Sequence, residues 1–229
     1  MGDIVTRSQR RANMDKASPV LVPEWKSLIS EVYGELYSIV SKSGWRYFES
    51  TFPITATGAA SYPLPNDHDL TIGADRVLAD GTTTPLGEVG VFERNAFAGR
   101  TGDAVTFSVV GQTIVLGPRP SSGAYQFLYV PQAPDISTLA DNSTVDVVTA
   151  DGEAFLIWGV AAAALPRTES SRVDAVEDRN AARERLAQDC TMRSLANPRR
   201  RIVVQHPLDD YGIVDDPLDY DPASWRWRR

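Results

Sequence analysis

Residues 105–134, VTFSVVGQTIVLGPRPSSGAYQFLYVPQAP, decide how this chain is read. Three β-rich pieces, Val105–Val110, Thr113–Leu116 and Tyr125–Val130, are separated by Gly111-Gln112 and by the loop from Gly117 to Gly123. Glycine at the first position of a two-residue connection suits a II′ hairpin turn, because that position requires φ > 0. The longer loop carries Pro118 and Pro120, which have no N–H to give to a ladder, so it turns the chain. The expectation is a compact antiparallel meander on which no candidate site residues converge.

Helical sequence lies on both sides of this meander. Upstream, Asp3 is placed to cap a short helix through about Met14, with Ile4 and Val5 on one side and Arg7, Arg10 and Arg11 on the other. Pro23 suits the first turn of a longer helix in which Trp25, Leu28, Ile29, Val32, Leu36, Ile39 and Val40 follow helical spacing. Ser43-Gly44 reads as its stop. From Phe48 the texture becomes β: a strand, a turn at Gly58, a short strand ended by Pro63 and Pro65, and an Asp80-Gly81 hairpin. A brief helical turn is expected over Glu93–Phe97.

Downstream, Asp151 is the expected N-cap of a helix whose residues Ala154–Leu165 are apolar nearly all round, so it should be buried on most sides. Ser170 or Ser171 is expected to cap the next helix, with Val173, Val176, Leu186, Cys190 and Met192 or Leu195 on its apolar side. Arg185, Asp189 and Arg193 have i,i+4 spacing. The fold class expected is therefore α+β. Residues 1–47 and 149–197 supply the helices of a bundle, residues 48–148 form an inserted antiparallel β domain, and residues 198–229 form an extended, partner-docking tail.

Composition narrows the function. Hydrophobic residues make up 42% and charged residues 23%, as in an ordinary globular protein. No apolar run reaches the ~18 residues of a membrane span, and the first residues lack the apolar stretch of a secretory signal. With 23 basic and 30 acidic residues the net charge is −7, which argues against a protein whose main task is to grip nucleic acid.

Catalytic signatures are missing as well. The sequence has no GxSxG, Walker A, GxGxxG or HExxH pattern. The single cysteine, Cys190, excludes an intramolecular disulfide and falls on the apolar side of its helix, where a structural thiol is expected. His68, flanked by Asp67 and Asp69, is read as a surface turn, because a metal site would need further convergent ligands. No catalytic residue, metal site or cofactor is expected.

The candidate functional residues lie near the C-terminus. Arg199, Arg200 and Arg201 suit phosphates or acidic protein, or equally a solvated charge run. Beyond them the chain is polar and proline-rich, with an internal echo: Pro207-Leu-Asp-Asp-Tyr211 against Pro217-Leu-Asp-Tyr220. Such a segment cannot build its own core and is expected to be extended unless a partner holds it. Its partner-binding candidates are Leu208, Tyr211, Leu218, Tyr220, Trp225, Arg226, Trp227 and Arg228. In an extended chain Trp225 and Trp227 share one side, which suits docking into a groove.

The order of segments resembles the head–tail adaptor (connector) proteins of tailed bacteriophages. The resemblance runs from about Ile4 to Val204. It passes through TRSQRRANMD, EVYGELYSIV, WRYFESTFPITATGAASYPLPNDHD, the Asp80-Gly81 hairpin with its following Pro-Leu, Phe92-Glu-Arg94, GQTIVLGPRP…YQFLYVP and AFLIWGVAA. The resemblance implies a homo-oligomeric ring, commonly a dodecamer, in the virion neck between the capsid portal and the tail. Its partners would be the portal protein, a tail or nozzle protein, and viral DNA passing through the lumen without sequence-specific binding. Twelve copies multiply the negative charge, and an acidic lumen lets DNA slide. Synthesis in the host cytoplasm and no membrane contact are implied. The alternatives are another neck or tail component (stopper, tail-completion or tail-tube protein) and, in a different class, a cell-wall hydrolase.

Overall fold

The structure is a computed structural model that describes residues 1–12, 14, 21–90, 93–97, 99–165 and 173–196. Those residues form four α-helices, eight β-strands and two short 3₁₀ helices. They fall into two compact units. The described residues of the helical unit come from Met1–Ser50, Asp67–Ile72 and Tyr129–Arg200, and those of the β unit from Thr51–Asn66 and Gly73–Leu128.

The helical unit holds α1 (Gly2–Arg11), α2 (Val22–Lys42), α3 (Ala150–Ala164) and α4 (Val173–Ala196). Helix α2 forms as its signals dictate. Pro23 sits in the first turn, the Glu24 carboxylate accepts the Leu21 N–H at 3.0 Å, and Gly44 with φ +82° follows the C-cap Ser43. Trp25, Leu28, Ile29, Val32, Leu36 and Val40 are all buried on one face. Helix α3 is buried on most sides, with Phe155, Leu156, Val160, Ala161 and Ala164 fully enclosed. Each large apolar side chain removed from water in this way contributes roughly 1.5–3 kcal/mol.

Close approach of helices depends on two glycines of α3. A Cβ on Gly159 would lie 2.6 Å from Val32 Cγ1, and one on Gly152 would land on the Val147 carbonyl oxygen. That carbonyl belongs to a tight turn. Val148 has φ +66°, a strained value for a β-branched residue. The turn is held by Asp146, whose Oδ1 accepts the Val148 N–H at 3.0 Å and the Tyr47 hydroxyl at 3.0 Å.

Several helical expectations need correction. Thr149, not Asp151, caps α3: its backbone is extended and its hydroxyl oxygen accepts the Gly152 N–H at 3.1 Å. Asp3 lies inside the first turn of α1, whose cap is Met1. Met192 and Leu195 are exposed (66% and 69%), because the buried stripe of α4 runs through Ala175, Ala182, Leu186 and Cys190. Arg185 pairs with Asp151 of α3 at 3.5 Å, while Asp189 takes Arg193 at 3.0 Å. Ser170 and Ser171 lie outside the described residues.

The strands are β1 (Ser50–Thr55), β2 (Tyr62–Pro63), β3 (His68–Val77), β4 (Thr83–Pro85), β5 (Gly87–Glu88), β6 (Thr106–Val110), β7 (Thr113–Gly117) and β8 (Ala124–Pro131). They make two four-stranded sheets, ordered β1-β8-β3-β4 and β2-β7-β6-β5. The Asp80-Gly81 hairpin joins β3 to β4 antiparallel, with Val77 opposite Thr83. β6 and β7 form the expected hairpin, Val110 opposite Thr113, around Gly111 with φ +59°. The third piece departs from expectation. β8 does not continue a meander with β7 but joins the other sheet between β1 and β3. The proline-bearing loop before it gives no ladder N–H at two positions and carries the chain across. β5 pairs with β6 in parallel, whereas the β2–β7, β3–β4 and β6–β7 pairs are antiparallel.

Candidate functional site

The residues most often recruited for chemistry have structural surroundings here. His68 is not a surface turn; it opens β3, half-buried, with Nε2 3.0 Å from Thr71 Oγ1 and its ring 6.0 Å from that of Tyr129. Asp67 accepts the Tyr129 hydroxyl at 3.2 Å. Cys190 is fully buried, and burial pushes its thiol up, away from the thiolate a nucleophile needs. Among the described residues no group of three or more His, Cys, Asp or Glu is placed to hold a metal ion. No described helix is long and apolar enough to cross a membrane.

The exposed carboxylates shifted downward are those held by local donors. Ser137 and Ser30 lower Asp135, Thr82 lowers Asp80, and Lys26 at 2.8 Å lowers Asp141. Several arginines of the helical unit are likewise committed. Arg7 bonds Glu153, Arg179 pairs with Glu35 at 2.5 Å, Arg11 stacks over Trp158 and Arg193 over Trp45. These contacts fasten the elements of the helical unit to one another.

One concave site stands out in the β unit. One face of the β6–β7 hairpin carries Thr106 opposite Gly117 and Ser108 opposite Val115, by the alternation of side chains along each strand. Its other face supplies the buried Phe107, Ile114 and Leu116. A cleft of about 360 Å³ lies along the first face. Val89, Phe97 and Val115 give it an apolar wall; Arg100, Thr101 and Arg119 line its polar side.

The loops that bear the two arginines are tied together. The Arg119 N–H donates to the Arg100 carbonyl at 3.0 Å, and the Gly102 N–H to the Arg119 carbonyl at 3.1 Å. Arg119 Nε also donates to the Gly58 carbonyl, which fixes its stem. Thr106 spends its hydroxyl on the Gly117 carbonyl at 2.9 Å. Ser108 is different: it is 2% exposed, and its Oγ has no hydrogen-bond partner among the described residues. Leaving a buried hydroxyl unpaired costs about 1–3 kcal/mol, so it marks a place where a partner group is wanted.

The stretch on which no site residues were expected to converge lines part of this cleft. The signal available was the small polar pair Thr106 and Ser108 at i,i+2 in an otherwise apolar strand. Arg100 and Arg119 are far apart in sequence, and only the pairing of their loops brings them to one cleft. The proposed partner-binding residues Arg199, Arg200, Arg201, Leu208, Tyr211, Leu218, Tyr220, Trp225, Arg226, Trp227 and Arg228 all lie outside the described residues.

Among known protein families, one described as SU10 adaptor protein matches the chain over residues 1–205. No curated protein matches it. The matched span includes every helix and strand described above.

Proposed function

Because the chain belongs to the SU10 adaptor protein family, a family of structural phage adaptors, we propose that it forms a ring beneath the portal at the capsid vertex. The ring prolongs the DNA channel and gives the tail its attachment platform. The observation that carries this reading is the family match over residues 1–205. A dodecamer is the expected ring, matched to the portal above it, and its partners are the portal, a tail or nozzle protein, and DNA in transit. The net charge of −7 per chain supports a lumen that repels phosphate and does not hold it.

In this reading the molecule works by presenting shapes to neighbours. Residues 1–47 and 149–197 build the packed body, residues 48–148 the displayed domain, and the tail from 198 the strap that docks on assembly. Arg199–Arg201 and the Trp225 and Trp227 pair anchor that strap. Ordering a strap on binding costs free energy but yields a long contact surface.

The test is direct. Full-length chain should sediment as a monomer alone and assemble into rings when mixed with portal rings. Deleting residues 205–229 should leave the circular dichroism and melting of the chain unchanged while weakening ring attachment. Failure of the full-length chain to bind either portal or tail partners overturns the proposal.

A further inference from the structure

We propose that Ile202–Val204 folds back over the outer face of α4 in the same chain and clasps the last turns of that helix to the helical unit. Such a clasp belongs to the chain on its own and stands whether or not the adaptor reading holds.

Helix α4 ends in a way that its own packing does not explain. Its buried stripe stops at Cys190, and none of Thr191–Leu195 is buried. Arg193 ties this end to the body by stacking over Trp45 at 5.0 Å, and it pairs with Asp189 of its own helix at 3.0 Å. Met192 and Leu195, three residues apart on one face, are turned the other way. Met192 stands about 200° around the helix from Cys190. Both side chains are exposed. A helix end with its large apolar groups in water and none in the core frays readily.

The sequence that follows supplies a cover. Pro198 has no N–H and disfavours a helical Asn197, so a change of direction is favoured directly after Ala196. Three arginines come next, and then Ile202-Val203-Val204, the only run of three aliphatic residues beyond Ala196. The intervening residues 197–201 span up to roughly 17 Å, against about 6 Å of helix between Met192 and Ala196. The run therefore reaches the exposed pair with chain to spare. Folding back also leaves Arg199–Arg201 beside the last carbonyls of α4, where positive charge is favoured. The family match supports the same boundary, since it ends at residue 205 and so includes this run but not the rest of the tail. A short tether holds the run at an effective concentration of order millimolar, which favours a cover from the same chain over one from a second copy. Its β-branched side chains are stiff at χ1 and lose little freedom on docking.

The chain carries its own reporter. Cys190 is its single cysteine and is buried two residues before Met192, so the thiol reacts only when this end of α4 opens. The full-length chain, a chain lacking residues 205–229 and a chain lacking residues 199–229 are each reacted with the thiol reagent DTNB under native conditions. The shorter deletion should label at the full-length rate. The longer one should label about tenfold faster, as expected for losing the burial of one or two apolar side chains. Ile202→Asp in the full-length chain should match the longer deletion. Met192→Gln with Leu195→Gln, which keeps helix propensity, should match it too, and combining these changes with Ile202→Asp should add little, because both remove one contact. Labelling should be independent of protein concentration. Equal rates for the three chains overturn the proposal, as do fully additive effects of the two sets of substitutions. Acceleration by the shorter deletion would put the cover beyond residue 204, and protection that grows with protein concentration would assign it to a second copy; either result also overturns the clasp.

Discussion

Glycine does two opposite jobs in this molecule. In the helical unit Gly152 and Gly159 have ordinary helical backbones, and what they supply is space: an added Cβ meets the Val147 carbonyl or Val32. In the β unit Gly111 has open space around it, and what it supplies is a backbone at φ +59°. Each unit also holds the converse case: Gly44 of the helical unit has φ +82°, and a Cβ on Gly117 of the β unit would lie 2.9 Å from Thr106 Oγ1.

The sharpest way to break this comparison is Gly152→Ala. Its methyl group would strike a backbone carbonyl that cannot swing away, because the turn at Val148 is pinned by Asp146. A loss of about 3 kcal/mol is expected, at the upper end for overpacking, measured by urea unfolding. Gly159→Ala meets a stiff, buried valine and should lose about 1–3 kcal/mol. If both variants melted like the parent, close approach would not be what holds the helices together.

Gly111→Ala tests the other half. Nothing obstructs the methyl group, so any loss comes from the left-handed backbone, about 1–2 kcal/mol, and Gly111→Asn should recover much of it. Equal losses for Ala and Asn would point to a steric clash and against the turn argument.

Tyr37 shows what contact does to chemistry in the helical unit. Burial first, then the charges of Tyr33, Asp69, Asp67 and Tyr129, push its phenol up to about 12. Its hydroxyl donates to the Pro131 carbonyl at 2.8 Å, and its ring stacks on Phe48 at 4.0 Å. An unfolded tyrosine ionises near ~10, so between about pH 10 and 12 the folded state binds more protons. The stability this group contributes is therefore full below about pH 10 and is lost as pH rises through about 12. Tyr37→Phe should cost about 1 kcal/mol at neutral pH and flatten the alkaline decline, followed by chemical denaturation across that range.

Legibility from sequence follows the same divide. Helix α2 was readable because its apolar spacing, its Pro23 and its Gly44 all lie within one stretch. The identity of the α3 cap was not, since Thr149 and Asp151 are both competent and the choice depends on the strained turn at Val148. Whether Met192 or Leu195 faces inward depends on the register of α4 against α3, which Ala175 and Ala182 set by being small. The hairpin around Gly111 is local and was readable, whereas the transfer of β8 to the other sheet depends on β1 and β3, some 50–80 residues away in the chain. The cleft was the least legible feature. Its arginines come from two loops, and its orphan hydroxyl has meaning only once the surrounding atoms are in place.

Gly34 of the helical unit does neither job and gives the smallest expected effect. It sits in the middle of α2, yet a Cβ built on it meets nothing within 4 Å, and its φ is not positive. Neither space nor turn explains it. Replacing a helix-interior glycine by alanine reduces the entropy lost on folding, worth about 0.5–1 kcal/mol. Gly34→Ala should therefore raise the melting temperature of the isolated chain by a few degrees. Should the same variant also impair ring assembly, Gly34 would be reserving space for a neighbouring copy, and the contact role found at Gly152 and Gly159 would extend from the interior of the subunit to its surface.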